Sequence, residues 1–401
     1  MKVTLQDIQT ARQAIANSIN VTVCDYSRSA STIAGTEVFF KLENTQPTGS
    51  FKIRGATNKI LSLTEAEKKC GVITCSAGNH AQGVALSSTI HKISSTIVMP
   101  VNAPLSKVEA TKSYGAQVVL HGNSFDEAKE HAFKLAKENG FIFVHPYEDE
   151  KVIAGQGTVG LEILEQIPIL SSIVVPVGGG GLISGIAIAA KAINPRIKII
   201  GVQTEVVRTM VEMFKSKKFQ AINHPVSTLC DGIAVKQPSQ VMFDSFISGY
   251  VDEMVTVSET QTAEAMVFLL ERVKTVAEGS GAVGLAAVLS KKADFGSKTC
   301  VVITGGNVDL NLISGAIQHG QIARGRLCEL SVIVPDIPGS LSRLTQILAD
   351  NRANILEVHH DRIGTGLGMK QTKIDFVIET ISHEHIEAIR LAIKKTGAQV
   401  S

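Results

Sequence analysis

Short apolar segments alternate with helical patterns over most of the chain, and this alternation limits the fold more than any other feature of the sequence. Segments rich in β-branched residues predict strands at residues 38–42, 72–75, 96–99, 117–120, 141–144, 173–177, 197–202 and 300–303. Strands that take turns with helices are typical of α/β folds built on a mainly parallel sheet. With 401 residues, of which 44% are hydrophobic, the chain is long enough for two or more domains with buried cores.

A loop of four consecutive glycines follows the strand predicted at 173–177. Gly178, Gly179, Gly180 and Gly181 precede an apolar helical pattern that begins at Leu182. Backbone amides without side chains can turn toward an anion, and the positive end of the following helix dipole adds to the attraction. The spacing matches neither the dinucleotide fingerprint nor the P-loop, so the loop predicts a phosphate site and disfavours a nucleotide.

Lys52 lies in the first turn of a predicted helix, one residue past a Pro-Thr-Gly-Ser turn. Ser50 is the predicted N-cap, and Phe51 the predicted first helical residue. A single lysine is usually a solvated surface charge, but the positive end of a helix disfavours protonation and leaves an amine able to form a Schiff base. A reactive lysine together with a phosphate-binding loop indicates pyridoxal 5'-phosphate as the cofactor.

These two motifs, with five others, resemble the threonine ammonia-lyases of the pyridoxal-phosphate fold type II family over nearly the whole chain. The others are SAGNH at 76–80, AGQGT at 154–158, DGIAV at 231–235, EGSGA at 278–282 and TGGNVDL at 304–310. The resemblance implies a catalytic domain at residues 1–321 made of two α/β lobes. A small lobe, roughly residues 48–153, would be inserted into a large lobe formed by both flanks, with the cofactor between them.

The resemblance also implies roles for individual residues. Lys52 would be the covalent anchor and the base that removes the substrate Cα proton. The cofactor would further contact Phe51, Asn79, the four glycines, Leu182 and Thr304, with Asn79 at the ring's phenolic oxygen and Thr304 at the pyridine nitrogen. The substrate carboxylate would be held by Ser76, Gly78, Asn79 and His80. Because the hydroxyl of Thr304 is neutral, the ring would be a weak electron sink, which favours β-elimination over racemisation.

Two departures from the related serine racemases bear on the reaction. Ala77 occupies the position where those enzymes carry a serine that acts as acid and base on the opposite face of the substrate. Gln203 and Arg208 occupy positions where the serine racemases have acidic residues that hold a divalent cation. The resemblance therefore implies a lyase without a metal site of that kind.

The pattern changes near residue 327. Strands are predicted at 328–335, 354–361 and 373–380, helices at 341–351 and 383–395, a glycine-rich loop at 362–370, and a short last strand at 398–400. This β-α-β-β-α order, with a ferredoxin-like fold, resembles the ACT regulatory module, whose D-x-P-G turn is present as Asp336, Pro338 and Gly339. Such a turn exposes amides that can hold an amino-acid effector. The alternative is a module at 327–401 that only drives assembly.

Composition and charge limit the remaining possibilities. The net charge of +2, without a dense basic stretch, disfavours a nucleic-acid partner. The apolar runs are too short for a membrane span, and the polar N-terminus is unlike a signal peptide. The six cysteines have no metal-binding spacing and are expected to be reduced. A soluble cytoplasmic protein is expected, and the resemblance implies a homotetramer.

The predicted reaction is elimination of L-threonine, and less well of L-serine, to 2-oxobutanoate or pyruvate and ammonia. An L-serine dehydratase or a serine racemase remains an alternative, because one methyl group contributes only about 1–3 kcal/mol of discrimination. An alternative of another class is an amino-acid sensor that has lost catalysis.

Overall fold

The computed structural model describes residues 1–362 and 367–401 of the chain, so the glycine-rich loop predicted at 362–370 lies partly outside the described residues. The fold divides into two units, Met1–Leu312 and Ile313–Ser401. No helix within the described ranges has the length and apolar character needed to cross a lipid bilayer.

The first unit contains two sheets, which we call the large sheet and the small sheet. Their strands are β1 Cys24–Tyr26, β2 Glu37–Leu42, β3 Val72–Cys75, β4 Ser95–Met99, β5 Gln117–Leu120, β6 Ile142–Phe143, β7 Ser172–Pro176, β8 Lys198–Thr204, β9 Glu253–Val257 and β10 Lys298–Ile303. The large sheet has the order β1-β2-β10-β7-β8-β9, and the small sheet the order β5-β4-β3-β6. All neighbouring strands are parallel except β1 and β2.

Helices cover these sheets. They are α1 Leu5–Ile15, α2 Arg28–Ala34, α3 Lys52–Leu61, α4 Glu65–Cys70, α5 Asn79–Ile90, α6 Leu105–Ser113, α7 Phe125–Asn139, α8 Glu150–Gln166, α9 Gly181–Ile193, α10 Thr209–Ser216, α11 Gln240–Met242, α12 Ser248–Tyr250, α13 Glu259–Phe268 and α14 Gly279–Leu289. A further helix, α15 Leu310–Ala323, begins at the end of the first unit and continues in the second. Strands β7 and β4 are buried along their whole length, as expected for parallel strands with helices on both faces. The predicted mainly parallel α/β fold is therefore confirmed.

A buried cluster of charges fixes helix α3, which carries Lys52. Arg54 donates from Nε to Glu43 (2.7 Å) and from Nη1 to Glu162 (2.6 Å), while Lys41 donates from Nζ to Glu162 (2.6 Å). None of these four side chains is more than 2% exposed. Two positive charges thus meet two negative charges, and the cluster ties α3 to β2 and α8.

The predicted start of α3 is wrong in two details, the capping residue and the first helical residue. Ser50 does not cap the helix. It forms an isolated antiparallel bridge with Gly305, and its buried hydroxyl has no hydrogen-bond partner. Phe51 precedes the first helical residue, and its backbone N–H donates to the carbonyl of Thr304 (3.1 Å). The turn before the helix is held by the loop that follows β10, so a contact distant in sequence replaces the local cap.

The second unit contains the strands and helices predicted for the ACT module. They are β11 Leu327–Pro335, α16 Ser340–Asp350, β12 Asn354–Asp361, β13 Gln371–Glu379, α17 His383–Lys394 and β14 Gln399–Val400. In its described part they form an antiparallel sheet of order β12-β13-β11-β14. Leu330 and Phe376 from the sheet pack against Leu348 and Ile389 from the helices. The short last strand is present and pairs with β11.

Candidate active site

A cavity of about 900 Å³ opens where β3, β7 and β10 end. Ligands of open α/β sheets bind outside the carboxyl ends of the strands, which is where this cavity lies. Its walls include every residue predicted to contact the cofactor or the substrate: Phe51, Lys52, Ser76, Gly78, Asn79, His80, Gly178, Gly179, Gly180, Gly181, Leu182 and Thr304. Phe51 and Thr304, the first and last of these residues, are far apart in the sequence, so the cavity forms only when the whole first unit is folded.

Lys52 is the first residue of α3, and its amine lies in this cavity. Nζ donates a hydrogen bond to the carbonyl of Pro146 (2.8 Å). Burial lowers the pKa of Lys52 to about 8, although the negative charge of Glu278 acts in the opposite direction. An amine with this pKa is more readily deprotonated near neutral pH than an exposed lysine, which suits it for proton transfer.

The four glycines link β7 to the first turn of α9. Gly180 has a φ of +93°, a left-handed conformation that favours glycine, and no side chain caps the helix. A β-carbon on Gly179 would lie 2.3 Å from the ring of Tyr147, so only glycine allows that ring to pack against the loop. The amides of the first turn are free of a capping side chain and can receive an anion. An anion site and a lysine amine in one cavity fit the phosphate and aldehyde groups of pyridoxal phosphate.

Asn79 connects two other side chains in the cavity. Its Nδ2 donates to Glu278 (2.7 Å), and its Oδ1 accepts from Asn307 (2.8 Å). Glu278 is only 6% exposed. Burial, reinforced by the charge of Asp231, raises the pKa of Glu278 to about 7. Glu278 therefore changes its protonation state near neutral pH.

His80 lines the cavity, and its ring is bonded to the main chain through one nitrogen, while the other, Nδ1, has no hydrogen-bond partner. Its Nε2 lies 2.9 Å from the carbonyl of Val144, which can only accept, so Nε2 is the protonated nitrogen. Burial lowers the pKa of His80 to about 3, and the ring is neutral. His80 and Asn79 both belong to the first turn of α5, and Ser76 accepts a hydrogen bond from the amide of Gly78 (3.2 Å). The start of α5 has no side-chain cap, so its backbone N–H groups can bind a carboxylate.

Thr304 and Ser280 place two hydroxyl groups at one end of the cavity. The Thr304 hydroxyl lies 3.4 Å from the carbonyl of Ser280, and both side chains are almost fully buried. The Ser280 hydroxyl has no hydrogen-bond partner. A buried hydroxyl without a partner is costly, so a bound polar group would be stabilised here.

Sequence reasoning assigned no role to the segment after β6 or to Glu278. His145 accepts hydrogen bonds at Nδ1 from the amides of Tyr147 (3.3 Å) and Glu148 (2.7 Å), and burial, helped by the charge of Lys129, lowers the pKa of His145 to about 4. This segment follows a predicted parallel strand, and the rule that sites lie beyond strand ends could have identified it. Glu278 lies in a motif that the sequence had already singled out.

An ion pair lies in the wall of the cavity. Lys107 of α6 donates to Asp231, with 2.7 Å between Nζ and Oδ2, and Ser106 donates to Asp309 (2.9 Å). Both contacts join a helix beside the small sheet to loops that follow the large sheet.

The positions that distinguish this chain from the racemases have other contacts. Gln203 donates to the carbonyl of Val177 and accepts from the amide of Val211, both at 3.0 Å. Arg208 pairs with Glu212 on the same side of α10 (2.9 Å). Within residues 1–362 and 367–401, no group of three or more His, Cys, Asp or Glu side chains is placed to hold a metal ion.

The predicted regulatory turn lies in the second unit. Gly339 has a φ of +90° and precedes the first residue of α16. Asp336 pairs with Arg362 (3.3 Å), and its amide donates to the carbonyl of Lys370 (2.8 Å). Pro338 lies between Asp336 and Gly339 in the turn. The start of α16 therefore has a tight glycine turn and no side-chain cap.

Comparisons with known proteins agree with this geometry. Residues 15–305 match the family described as pyridoxal-phosphate dependent enzyme, and residues 329–398 match the ACT domain. The chain is 48% identical to an L-threonine ammonia-lyase of Thermotoga maritima over 398 residues, 99% of each protein. Among solved structures, the processed form of threonine deaminase isoform 2 from Solanum lycopersicum is 32% identical with a TM-score of 0.75, covering 80% of this chain and 91% of its own. Maize serine racemase is 36% identical, also with a TM-score of 0.75, covering 79% and 97%.

Proposed function

The chain belongs to the pyridoxal-phosphate-dependent enzyme family, and on that basis we propose that it is an L-threonine ammonia-lyase. It converts L-threonine to 2-oxobutanoate and ammonia, and L-serine less efficiently to pyruvate and ammonia. The observation that carries the proposal is that the Lys52 amine and the glycine loop line one cavity. The relative from Thermotoga maritima, named for the same activity and alike over 99% of its length, supports the choice of substrate.

Different residues of the cavity are proposed to bind different parts of the cofactor. The amides of Gly178 to Gly181 and the start of α9, with Leu182 beside them, would bind the cofactor phosphate. Phe51 would pack against the cofactor ring, Asn79 would donate to its phenolic oxygen, and the hydroxyl of Thr304 would lie at its nitrogen. When bound, pyridoxal phosphate supplies an electron sink for negative charge at the substrate Cα.

Lys52 and Glu278 are the two titratable groups proposed to transfer or hold protons during the reaction. Lys52, whose pKa is lowered by burial to about 8, anchors the cofactor and removes the proton from Cα as a neutral amine. Glu278, whose pKa is raised by burial to about 7, would hold a proton beside Asn79 below that pH, where a carboxylate would repel a negatively charged phenolic oxygen. Ser76, Gly78, Asn79 and the backbone of His80 hold the substrate carboxylate at the start of α5.

Ala77 and Thr304 favour elimination over racemisation. A methyl group at Ala77 cannot deliver a proton to the face of the substrate opposite Lys52. A serine dehydratase or serine racemase is the alternative, since a serine racemase structure matches the fold equally well. A sensor without catalysis is disfavoured because Lys52 and Asn79 keep their places beside the glycine loop.

A keto-acid assay with L-threonine and L-serine tests the proposal. We expect turnover of both substrates, with the higher kcat/KM for threonine, and loss of at least 1,000-fold in Lys52→Ala because the variant lacks both anchor and base. Lys59→Ala is the matched control, since Lys59 lies on the same helix and pairs with Asp149 (2.7 Å) outside the cavity. Turnover by Lys52→Ala, or no keto acid from the unaltered protein, would contradict the assignment.

We also propose roles for the two domains, a form of regulation, an oligomeric state and a cellular location. Residues 1–321 act as the catalytic domain and 327–401 as a regulatory domain, where an amino acid binds at Asp336, Pro338 and Gly339. The match to the ACT domain supports an allosteric effector. Homotetrameric assembly, a cytoplasmic location and a part in isoleucine biosynthesis follow from the resemblance to threonine ammonia-lyases; neither nucleic acid nor membrane is a proposed partner.

A further inference from the structure

The side chain of Asn307 lies at the junction of three segments that form the cavity. Its Nδ2 is within hydrogen-bond distance of the carbonyl of Thr48 (2.7 Å), Oδ1 of Asn79 (2.8 Å) and Oε1 of Gln82 (3.0 Å). These oxygens belong to the turn before Lys52 and to the first turn of α5. An amide has two N–H groups, so the three oxygens share them.

The orientation of Asn307 is fixed by the main chain. A backbone carbonyl only accepts hydrogen bonds, so the NH₂ end of Asn307 must face Thr48. If the amide were turned over, its oxygen would oppose the Thr48 carbonyl, and a partly buried contact between two acceptors is unfavourable. The same NH₂ group then faces Asn79, which must present its oxygen.

The orientation of Asn79 follows from that of Asn307. Because Oδ1 of Asn79 accepts from Asn307, its NH₂ group is directed toward Glu278 (2.7 Å). We propose that Asn307 is a positioning residue, which makes the Asn79 side chain present hydrogen-bond donors, and not its oxygen, to the cofactor. This inference rests on the proposed function, since it concerns the residue assigned to the phenolic oxygen.

The hydrogen bonds from Asn307 to Asn79 and from Asn79 to Glu278 form a relay. Close packing at both ends of this relay supports a fixed orientation of the side chains. A β-carbon on Gly49 would lie 2.4 Å from Oδ1 of Asn307, and the φ of Gly49 is +68°. At the other end, a β-carbon on Gly305 would lie 2.5 Å from Oε1 of Glu278 and 3.1 Å from Nδ2 of Asn79. Each end of the relay thus approaches the backbone at a glycine, where a side chain would displace it.

The alternative is that Asn307 only joins loops. Asn44 is a matched control for that role, because its Nδ2 donates to Thr275 Oγ1 (2.6 Å) and to the carbonyl of Val276 (2.8 Å) without contacting Asn79. Substitution of either asparagine should lower the thermal stability. Only substitution of Asn307 should change the surroundings of the cofactor.

The test measures the cofactor in the full-length protein without substrate. The dissociation constant of pyridoxal phosphate and the pH midpoint of its absorbance change are compared in the unaltered protein, Asn307→Asp, Asn307→Ala and Asn44→Ala. Circular dichroism establishes which variants fold. We expect Asn307→Asp to raise the dissociation constant at least tenfold and to shift the midpoint, Asn307→Ala to act in the same direction, and Asn44→Ala to stay within twofold.

A double-mutant cycle separates positioning from general structure. If Asn307 acts through Asn79, adding Asn307→Asp to Asn79→Ala changes neither the dissociation constant nor the midpoint further. Unaltered cofactor properties in folded Asn307→Asp and Asn307→Ala would overturn the inference, as would a shift that persists in the Asn79→Ala background. If the unaltered protein bound no cofactor, the proposed function itself would fail, which is a different result.

Discussion

Lys52 and Glu278 lie in one cavity, and burial moves the pKa of each toward neutrality. The lysine amine becomes easier to deprotonate and the carboxyl harder to deprotonate, so both can carry or release a proton between about pH 7 and 8. Burial changes both pKa values without the cofactor. The effect of these two groups can therefore be measured in the cofactor-free protein.

Glu278→Gln should change how stability depends on pH in the cofactor-free protein. The folded state keeps the Glu278 proton up to a pKa of about 7, whereas the unfolded chain loses it near 4.5. The stability contributed by this carboxyl is therefore present below pH 4.5 and is lost as the pH rises to 7. We expect the unfolding free energy of Glu278→Gln to rise relative to that of the unaltered protein between pH 4 and 8, by up to about 3 kcal/mol.

Urea unfolding at several pH values provides the measurement. The exposed Glu130 on α7 supplies the control variant Glu130→Gln, which should show no such pH-dependent difference. A difference between Glu278→Gln and the unaltered protein that stays constant from pH 4 to 8 would mean that Glu278 titrates normally.

Ala77→Ser should introduce racemisation. The methyl group of Ala77 lines the cavity between Ser76 and Gly78, so a serine there brings a proton donor to the substrate. We expect chiral chromatography to show D-serine from L-serine at least tenfold above the unaltered protein, while keto-acid production continues. Ala103→Ser, outside the cavity but packed against the same core, is the control. Rapid D-serine formation by the unaltered protein would argue against a lyase that lacks racemase activity.

Motifs identified the cavity residues whose roles depend on local chemistry, and missed those whose roles depend on distant partners. Lys52 and the glycine loop each carry their own signal, since a helix start or a run of glycines is visible in a few residues. Glu278 meets Asn79 across 199 positions of the chain, and Asn307 meets it across 228. No spacing rule predicts such contacts, because they arise only when the two sheets are assembled.

At the scale of elements, the predicted strands include every interior strand of the large sheet and all four strands of the small sheet. The two strands that sequence reasoning missed, β1 and β9, lie at the two edges of the large sheet. β1 has only three residues, none of them buried, and β9 begins with a charged Glu253. Edge strands are covered on fewer sides, so they need fewer apolar residues and give a weaker signal.

The buried charge cluster predicts unequal effects for two glutamates on α8. Glu162→Gln leaves Lys41 and Arg54 with one carboxylate between them, and breaking a buried ion pair typically costs about 3–5 kcal/mol. Glu165 lies one turn later and pairs with Arg12 at the surface, so Glu165→Gln should cost under about 1 kcal/mol. Urea unfolding of both variants provides the comparison, and equal losses would show that the buried cluster is not stabilising α3.

At the scale of the whole chain, the second unit predicts a response to an amino acid. Each of the standard amino acids is added to the threonine assay, and we expect at least one to change kcat/KM. Asp336→Ala should raise the effector concentration needed for half of that change at least tenfold, with activity in its absence within twofold. Asp350→Ala is the control, since Asp350 lies at the other end of α16. If no amino acid altered the rate, or Asp336→Ala responded normally, the turn would not be the effector site.

The strand order of the large sheet also bears on how this protein is made. β2 pairs with β10, whose residues are added about 250 positions later. At a translation rate of about 5–20 residues per second, the growing chain holds β2 with one edge unpaired for roughly 10 to 50 s. The small sheet, confined to residues between β3 and β6, can form on the ribosome well before that. During synthesis the β2 edge thus exposes unpaired backbone N–H and C=O groups, and we expect it to be open to chaperones and prone to aggregation where they are scarce.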